Sequence, residues 1–203
     1  MKTAVVNGCT VTVVPVIRGL VSEKETIRRV LENAYDAVGV SLGPEDVAIL
    51  SKRNDATEKP DMSDLDAVYA HLLMRFGGVD LPVPAYAELV DVCKERSIEP
   101  IPLDMDDETF TELFCEKVRP MDLLKETKVA KKAMKHDFVS TTAGEFAVEW
   151  DDYVNRKIRG FELMSLQREV FIANEIAHHA SGKATMLAVV ELERMAGILD
   201  LLR

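Results

Sequence analysis

The densest polar group in the sequence follows an apolar stretch, where Asp104 and Asp106 flank Met105 and Asp107 comes next. The preceding residues, Ile98–Leu103, predict a short strand. Ligands of open α/β sheets bind at the carboxyl ends of strands. Carboxylates placed there are also the ligands that Mg²⁺ and Mn²⁺ prefer. A simpler interpretation is that Asp106 or Asp107 caps the following helix and complements its dipole, and we favour that interpretation.

A second charged group combines one arginine with the residues after the last predicted strand. Arg168 stands in an otherwise apolar helical segment, and Glu191, Glu193 and Arg194 follow the strand Ala184–Val190. A guanidinium in apolar surroundings needs a partner. Arg168 is therefore predicted to pair with one of the two aspartates above, or to bind an anionic ligand. The alternative for the residues after the strand is a polar loop that begins a helix.

Other candidates for metal or nucleotide chemistry are incomplete. Glu175, His178 and His179 lie near one helix end, but a di-iron bundle needs a second Glu-x-x-His pair, and the sequence has none. Histidines in a last helical turn more often complement the helix dipole. The sequence also lacks a Gly-rich phosphate loop, a nucleophile elbow and a Rossmann fingerprint. We therefore assign no metal site and no cofactor.

The composition indicates which kinds of partner and which cellular compartment to expect. A formal net charge of -10 and a pI of about 5.0 disfavour binding to a phosphate backbone. The three cysteines, Cys9, Cys93 and Cys115, are odd in number and form no Cys-x-x-Cys motif. Reduced thiols favour the cytoplasm. The sequence shows no signal-peptide pattern and no apolar stretch long enough for a bilayer, so we expect no membrane association.

The elements that must position these residues follow from periodicity. Asn7-Gly8 between β-forming stretches predicts a hairpin, because both residues accept positive φ. Ser22 and Glu25 form a capping-box pattern before an apolar helical stripe. Strands then alternate with helices, which favours a mixed, partly parallel sheet flanked by helices. We predict one α/β domain over residues 1–203, with a helical segment at about 120–180.

Two further segments carry predictions. Residues 51–63 are polar and contain a proline, so they predict a mobile loop. Four lysines share one face of a predicted helix: Lys128, Lys131, Lys132 and Lys135. A solvated stripe is our preferred interpretation, and a docking surface for an acidic partner is the alternative.

Five short segments stand in a recognisable order: Ile17 to Ser22, Val40-Ser41-Leu42, Asp104-Met105-Asp106, Gln167-Arg168-Glu169 and Val189 to Ile198. This order resembles that of the TraB/PrgY family of pheromone-shutdown proteins. Its members carry, in turn, Gly-x-x-His-Val-Ser, Val-Glu-Leu, Asp-Arg-Asp, Glu-Arg-Asp and Gly-x-Gly-His-x-x-Gly-Ile. The resemblance touches both ends of the chain and its middle.

The same resemblance implies that the inherited chemistry is lost or altered. Leu20 and Arg194 stand where the family has histidines, and Ser41 stands where it has a glutamate. Those positions are the family's suspected metal or catalytic groups, and leucine and serine cannot replace an imidazole or a carboxylate in such roles. Three matched positions keep the family's residue type: Asp104, Asp106 and Arg168.

We therefore predict a non-catalytic binding or regulatory protein that takes a small molecule or a protein near the strand ends. The predicted ligand-binding residues are Asp104, Asp106, Arg168, Glu191, Glu193 and Arg194. Their opposite charges would suit a polar or zwitterionic ligand. No catalytic residue is assigned.

Two alternatives stay open. In a metal-dependent hydrolase, Asp104, Asp106 and a glutamate after the last strand would hold the metal, while Arg168 stabilises developing negative charge. In a structural subunit of a homo-oligomer, with a homodimer as the simplest case, a large exposed apolar face and no polar pocket are expected.

Overall fold

The computed structural model describes residues 1–52, 62–80 and 83–203. The predicted mobile loop at 51–63 falls mostly on residues 53–61, which lie outside the described residues.

Five strands form one mixed sheet, and their order across the sheet is β1-β2-β5-β3-β4. Their bounds are β1 Lys2–Val6, β2 Cys9–Val16, β3 Ala37–Val40, β4 Ile101–Pro102 and β5 Thr185–Glu191. Only the β1–β2 pair is antiparallel, and β2, β5, β3 and β4 run parallel to one another. The carboxyl ends of these four strands therefore meet at one edge of the sheet. The predicted α/β fold class is confirmed.

The hairpin and the strand edge follow their local sequence. Asn7 and Gly8 adopt φ values of 49° and 81°, as a tight turn between β1 and β2 requires. β4 covers only two of the six residues predicted as a strand, and it lies at the edge of the sheet. Pro100 and Pro102 explain both findings, because a proline offers no N–H to a neighbouring strand.

Helices cover both faces of the sheet. They are α1 Glu23–Val30, α2 Pro44–Ser51, α3 Asp64–Leu73, α4 Pro84–Glu95, α5 Asp107–Lys117, α6 Pro120–Ala133, α7 Ala143–Asn155, α8 Arg159–Ala180 and α9 Met195–Leu201. Alternate residues of β2, β3 and β5 face opposite sides. One side packs with α1, α2 and α4, and the other with α8 and α9.

A third apolar cluster lies at the carboxyl edge of the sheet. It joins Ile17 and Leu20, which follow β2, to the buried faces of α3, α6 and α7. Tyr69, Phe146 and Trp150 form its aromatic centre, with ring centroids 5.7 to 6.2 Å apart. The predicted helical segment at 120–180 thus forms a wall beside the strand ends.

One local prediction is wrong. Ser22 precedes α1, but its side chain makes no capping hydrogen bond. The reason is its backbone: Ser22 already has helical angles, φ -63° and ψ -18°, whereas a capping residue normally has extended ones. The carboxylate of Glu23 instead accepts a hydrogen bond from the Ile17 amide at 3.4 Å.

None of the helices in the described ranges has the length and apolar character needed to cross a bilayer.

Candidate functional site

Four strand ends bring polar side chains to the carboxyl edge of the sheet. Arg18 follows β2, Ser41 follows β3, Asp104 follows β4, and Glu191 is the last residue of β5. Backbone bonds continue the ladder to this point: the Ser41 amide donates to the Val189 carbonyl at 3.0 Å. Parallel pairing of the four strands therefore gathers residues that are far apart in sequence.

Asp104 and Arg168 form one ion pair at this edge. The Arg168 Nε donates to Asp104 Oδ2 at 2.8 Å, and Nη2 donates to the same oxygen. The other carboxylate oxygen of Asp104 accepts from the Met105 amide at 2.9 Å. The Asp104 side chain is 5% exposed and that of Arg168 is 21% exposed. Both carboxylate oxygens of Asp104 are thus already bonded within the chain.

Glu191 and Arg194 form a second buried pair directly beside the first. The Arg194 Nε donates to Glu191 Oε2 at 2.5 Å, and Arg168 Nη2 lies 4.0 Å from the same oxygen. The Arg194 Nη1 donates to Ser165 Oγ on α8 at 2.6 Å. Burial opposes ionisation of Glu191, but the Arg194 and Arg168 charges outweigh it and lower the Glu191 pKa to about 2. Glu191 is therefore an ionised carboxylate locked between two guanidinium groups.

Glu193 behaves in the opposite way, although it is two residues further along. Burial, together with the negative charge of Glu191, raises the pKa of Glu193 to about 7. Its Oε2 is buried and has no hydrogen-bond partner among the described residues. Glu193 is thus a half-buried carboxyl group that the fold leaves without a full partner.

Arg18 and Tyr69 complete the charged edge on the side of α3. The Arg18 Nη1 donates to Asp66 Oδ1 at 2.8 Å, and its guanidinium carbon lies 5.0 Å from the Tyr69 ring centroid. Burial raises the pKa of the Tyr69 hydroxyl well above its usual range, and the nearby charge of Glu193 adds to this effect. In the described part of the chain, neither Arg18 Nε nor the Tyr69 hydroxyl has a hydrogen-bond partner.

A cavity of about 370 Å³ opens beside these groups. Its charged side contains Arg18, Arg168, Arg194, Glu191 and Glu193, all of which come from the strand ends or from α8. Its other walls come from α3, α5, α6, α7 and α8 and include the following aromatic residues: Phe110, Phe114, Trp150 and Phe161. The volume falls within the range of small-molecule sites, about 300 to 1,000 Å³.

The six residues predicted from sequence fall into three positions. Arg168, Glu191, Glu193 and Arg194 line the cavity. Asp104 lies behind the lining and holds Arg168. Asp106 is exposed, caps α5 by accepting from the Thr109 amide at 2.7 Å, and does not line the cavity. The favoured capping interpretation of Asp106 is thereby confirmed.

Leu20, Ser41 and Arg194, at the positions where the TraB/PrgY resemblance expects other residues, all make structural contacts. Leu20 packs in the apolar cluster at the strand ends. Ser41 is fully buried, and its hydroxyl lies 2.7 Å from the Tyr86 hydroxyl. Arg194 is tied to Glu191 and Ser165 as described above. Each replacement therefore has a defined partner in this chain.

Other groups singled out in the sequence lie outside the cavity. Over the ranges that the structure describes, no group of three or more His, Cys, Asp or Glu side chains is arranged to hold a metal ion. Glu175 and His179 form a pair on α8 at 3.5 Å. Burial raises the pKa of the Cys93 thiol to about 11 and makes it a packing group. Three lysines of α6, Lys128, Lys131 and Lys132, and Lys135 just after the helix are exposed along a shallow hollow.

Several cavity residues were not predicted from the sequence: Arg18, Asp66, Trp150, Asp151 and Ser165. Arg18 could have been found from the sequence, because it lies two residues after a strand predicted to end at Val16. Asp151 and Ser165 could not, since the helical segment gives no indication of which face turns toward the strand ends.

No protein-family model, curated protein or solved structure matches this chain.

Proposed function

We propose that this chain is a non-catalytic binding protein whose cavity at the strand ends takes a small polar ligand. The observation that carries the proposal is the internal pairing of the charged groups. Asp104 is bonded to Arg168, and Glu191 is bonded to Arg194. A nucleophile, a general base or a metal ligand must be free to engage its target, and these side chains already engage each other.

The cavity walls support ligand binding rather than a purely structural role for the pairs. Ligand sites combine apolar and aromatic walls with a few polar groups that fix orientation. Phe110, Phe114 and Trp150 provide aromatic lining in the same cavity as the charged groups of the strand ends. The arginine–carboxylate pairs hold the charged side in place without requiring a ligand, so the site is pre-organised.

A distant relationship to the TraB/PrgY family is part of this proposal. What supports it is that the matched segments after β2, β3, β4 and β5 all belong to one edge of the sheet. We also propose the cytoplasm as the compartment, because all three cysteines are free and two of them are buried.

The single tryptophan provides a direct test of the binding function. Trp150 is the only tryptophan in the sequence and lines the cavity, so its emission reports on occupancy without a label. We suggest a panel of amino acids, their decarboxylated amines, and simple carboxylates and alcohols, measured by Trp150 fluorescence and thermal shift. Saturable changes in both signals are expected for at least one chemical class. If no member of the panel changes either signal, the small-ligand proposal fails.

The hydrolase alternative is tested in the same preparation. Phosphate-ester and carboxyl-ester substrates are incubated with and without Mn²⁺, using wild-type protein and Asp104→Asn. We expect no metal-dependent turnover. Turnover that Asp104→Asn abolishes would replace the binding proposal with the hydrolase. Analytical ultracentrifugation addresses the homo-oligomer alternative, for which a concentration-independent dimer would be the supporting result.

A further inference from the structure

We propose that the cavity takes an organic cation, namely a primary amine carried on an apolar or aromatic body. This inference rests on the proposed binding function and names the ligand class. It comes from three observations: the positions of unpartnered polar atoms, the balance of charge around the cavity, and the composition of its walls.

The first observation is where the unsatisfied polar atoms lie. In the described residues, three buried side-chain atoms have no hydrogen-bond partner: Arg18 Nε, the Tyr69 hydroxyl and Glu193 Oε2. All three belong to side chains that interact electrostatically with one another at the strand ends. Buried polar groups are nearly always bonded, so such a cluster indicates a place where a further polar group belongs. Glu193 Oε2 requires a donor, and Glu193 lines the cavity.

The second observation is that the arginines are already neutralised. Each has a carboxylate partner: Arg18 with Asp66, Arg168 with Asp104, and Arg194 with Glu191. Three further carboxylic acids line the cavity and have no arginine bonded to them among the described residues: Glu126, Asp151 and Glu193. The charge that the cavity lacks is therefore positive, and a ligand anion would meet a surplus of carboxylates.

The pKa values of two of these acids agree with the lack of positive charge in the cavity. Burial raises the pKa of Asp151, against the lowering influence of Arg194, and burial likewise raises that of Glu193. A carboxyl group whose ionised form lacks compensation in the fold gains most from a cationic partner. An ammonium group can donate three hydrogen bonds and provides the missing charge at the same time.

The third observation is the aromatic wall. Trp150 and Phe161 line the same cavity as Asp151, which accepts a hydrogen bond from Asn155 Nδ2 at 2.8 Å, and Glu193, and Met164 adds a further apolar side chain. Aromatic ring faces attract cations, and tryptophan does so most strongly. The same rings accept the apolar body of an amine. This combination favours an organic amine over an inorganic cation, which would leave the aromatic surface unused.

The test compares three probes that share a skeleton and differ in charge: 2-phenylethylamine, 2-phenylethanol and 3-phenylpropanoate. Binding to the full chain is measured at about pH 8 by Trp150 fluorescence and by calorimetry. The amine is expected to bind about tenfold more tightly than the alcohol, because its ammonium group adds a charge-assisted hydrogen bond to a carboxylate. The carboxylate should bind more weakly than the alcohol.

Two variants test whether Glu193 and Asp151 cause the tighter binding of the amine. Glu193→Gln should weaken amine binding by about tenfold and leave alcohol binding unchanged, since only the charge is removed. Asp151→Asn is a second variant with the same expected direction, should Glu193→Gln fail to fold. Glu112→Gln removes an exposed carboxylate on α5 and should change neither probe. Circular dichroism verifies folding of each variant.

Failure of the cation preference can be distinguished from failure of the proposed ligand-binding function. If the alcohol or the carboxylate binds as tightly as the amine, or if Glu193→Gln leaves amine binding unaltered, the cation inference is wrong while small-ligand binding stands. If none of the three probes binds, the cation inference also fails. The wider panel described above then decides independently whether the cavity binds any ligand.

Discussion

Arg168 donates from Nε to Oδ2 of Asp104 at 2.8 Å, although 64 positions separate the two residues in the sequence. The carboxylate comes from the end of an edge strand, and the guanidinium comes from the middle of the longest helix described. This pair attaches α8 to the sheet at the point where the cavity opens. Its integrity should therefore affect both stability and the shape of the site.

Substituting either Asp104 or Arg168 should lower the free energy of unfolding, and the effects of the two substitutions should not add. Asp104→Asn is expected to lower the free energy of unfolding by about 2 kcal/mol, because Arg168 then loses its hydrogen-bonded partner and keeps Glu191 at 4.0 Å as a more distant one. Arg168→Met should cost more, about 3 kcal/mol, since it leaves the less exposed Asp104 carboxylate uncompensated. Urea unfolding of both variants and of the double variant measures the coupling between the two side chains.

The control for this cycle is the surface pair of Asp152 and Arg156, whose side chains are 61% and 78% exposed. Asp152→Asn should change the free energy of unfolding by less than about 0.5 kcal/mol. Strictly additive effects of Asp104→Asn and Arg168→Met would contradict a direct interaction.

The raised pKa of Glu193 predicts a stability that falls as pH rises. The folded chain holds this proton to about pH 7, whereas an ordinary glutamate releases it near 4.5. Between these values the folded state binds more protons than the unfolded state, so stability decreases with pH and levels off above about 7. Glu191 stays ionised across this window, because its pKa is lowered to about 2. Arg18, Arg194 and Tyr69, the other groups facing Glu193, do not titrate there.

Glu193→Gln removes this dependence and should stabilise the protein at pH 8 by on the order of 1 kcal/mol. At pH 4.5 the two proteins should have nearly equal stability. Urea unfolding midpoints at several pH values measure the difference, with Glu112→Gln as the exposed control. A wild-type stability that rises between pH 5 and 7 relative to Glu193→Gln would give the opposite sign and refute the pKa assignment.

Two buried tyrosines should respond in opposite ways to loss of the hydroxyl. The Tyr86 hydroxyl lies 2.7 Å from that of Ser41, so Tyr86→Phe is expected to lower the free energy of unfolding by about 1 kcal/mol. The Tyr69 hydroxyl is buried without a partner in the described ranges, so Tyr69→Phe should be neutral or stabilising by up to about 1 kcal/mol.

Chemical denaturation of these two single variants measures the difference. The comparison is well matched because both tyrosine rings are at most 2% exposed, so each substitution removes a buried hydroxyl. A loss of stability in Tyr69→Phe equal to that in Tyr86→Phe would show that the Tyr69 hydroxyl has a bonding partner. In that case the polar cluster of Arg18, Tyr69 and Glu193 would be satisfied without a ligand.

Gly39 is required for the packing behind Asp104. A Cβ atom at Gly39 would lie 2.6 Å from Cδ1 of the fully buried Leu103. Gly39→Ala is therefore expected to destabilise the fold by about 1 to 3 kcal/mol through overpacking. Gly78→Ala is the matched control, since the nearest atom lies at 3.7 Å. If thermal unfolding shows equal effects for the two variants, Leu103 can move aside freely.

Local patterns in the sequence determined most of the elements. Asn7-Gly8 specified a tight turn because both residues tolerate positive φ, and Pro44 began α2 because a proline needs no hydrogen-bond partner in the first turn. The alternation of strands and helices determined the α/β class. The assignment failed at Ser22, where a capping pattern was present but the preceding turn had already set a helical backbone.

Tertiary structure alone decided how the charged groups combine. The sequence indicated that Asp104, Arg168, Glu191 and Arg194 belong near strand ends, because the carboxyl ends of parallel strands share one edge. It could not assign partners, since pairing depends on which face of α8 turns toward that edge. It also could not show that Glu193 Oε2 has no hydrogen-bond partner among the described residues, or that Glu193 and Trp150 line the same cavity. Burial and distance set those relationships, and both arise only when segments far apart in the chain pack together.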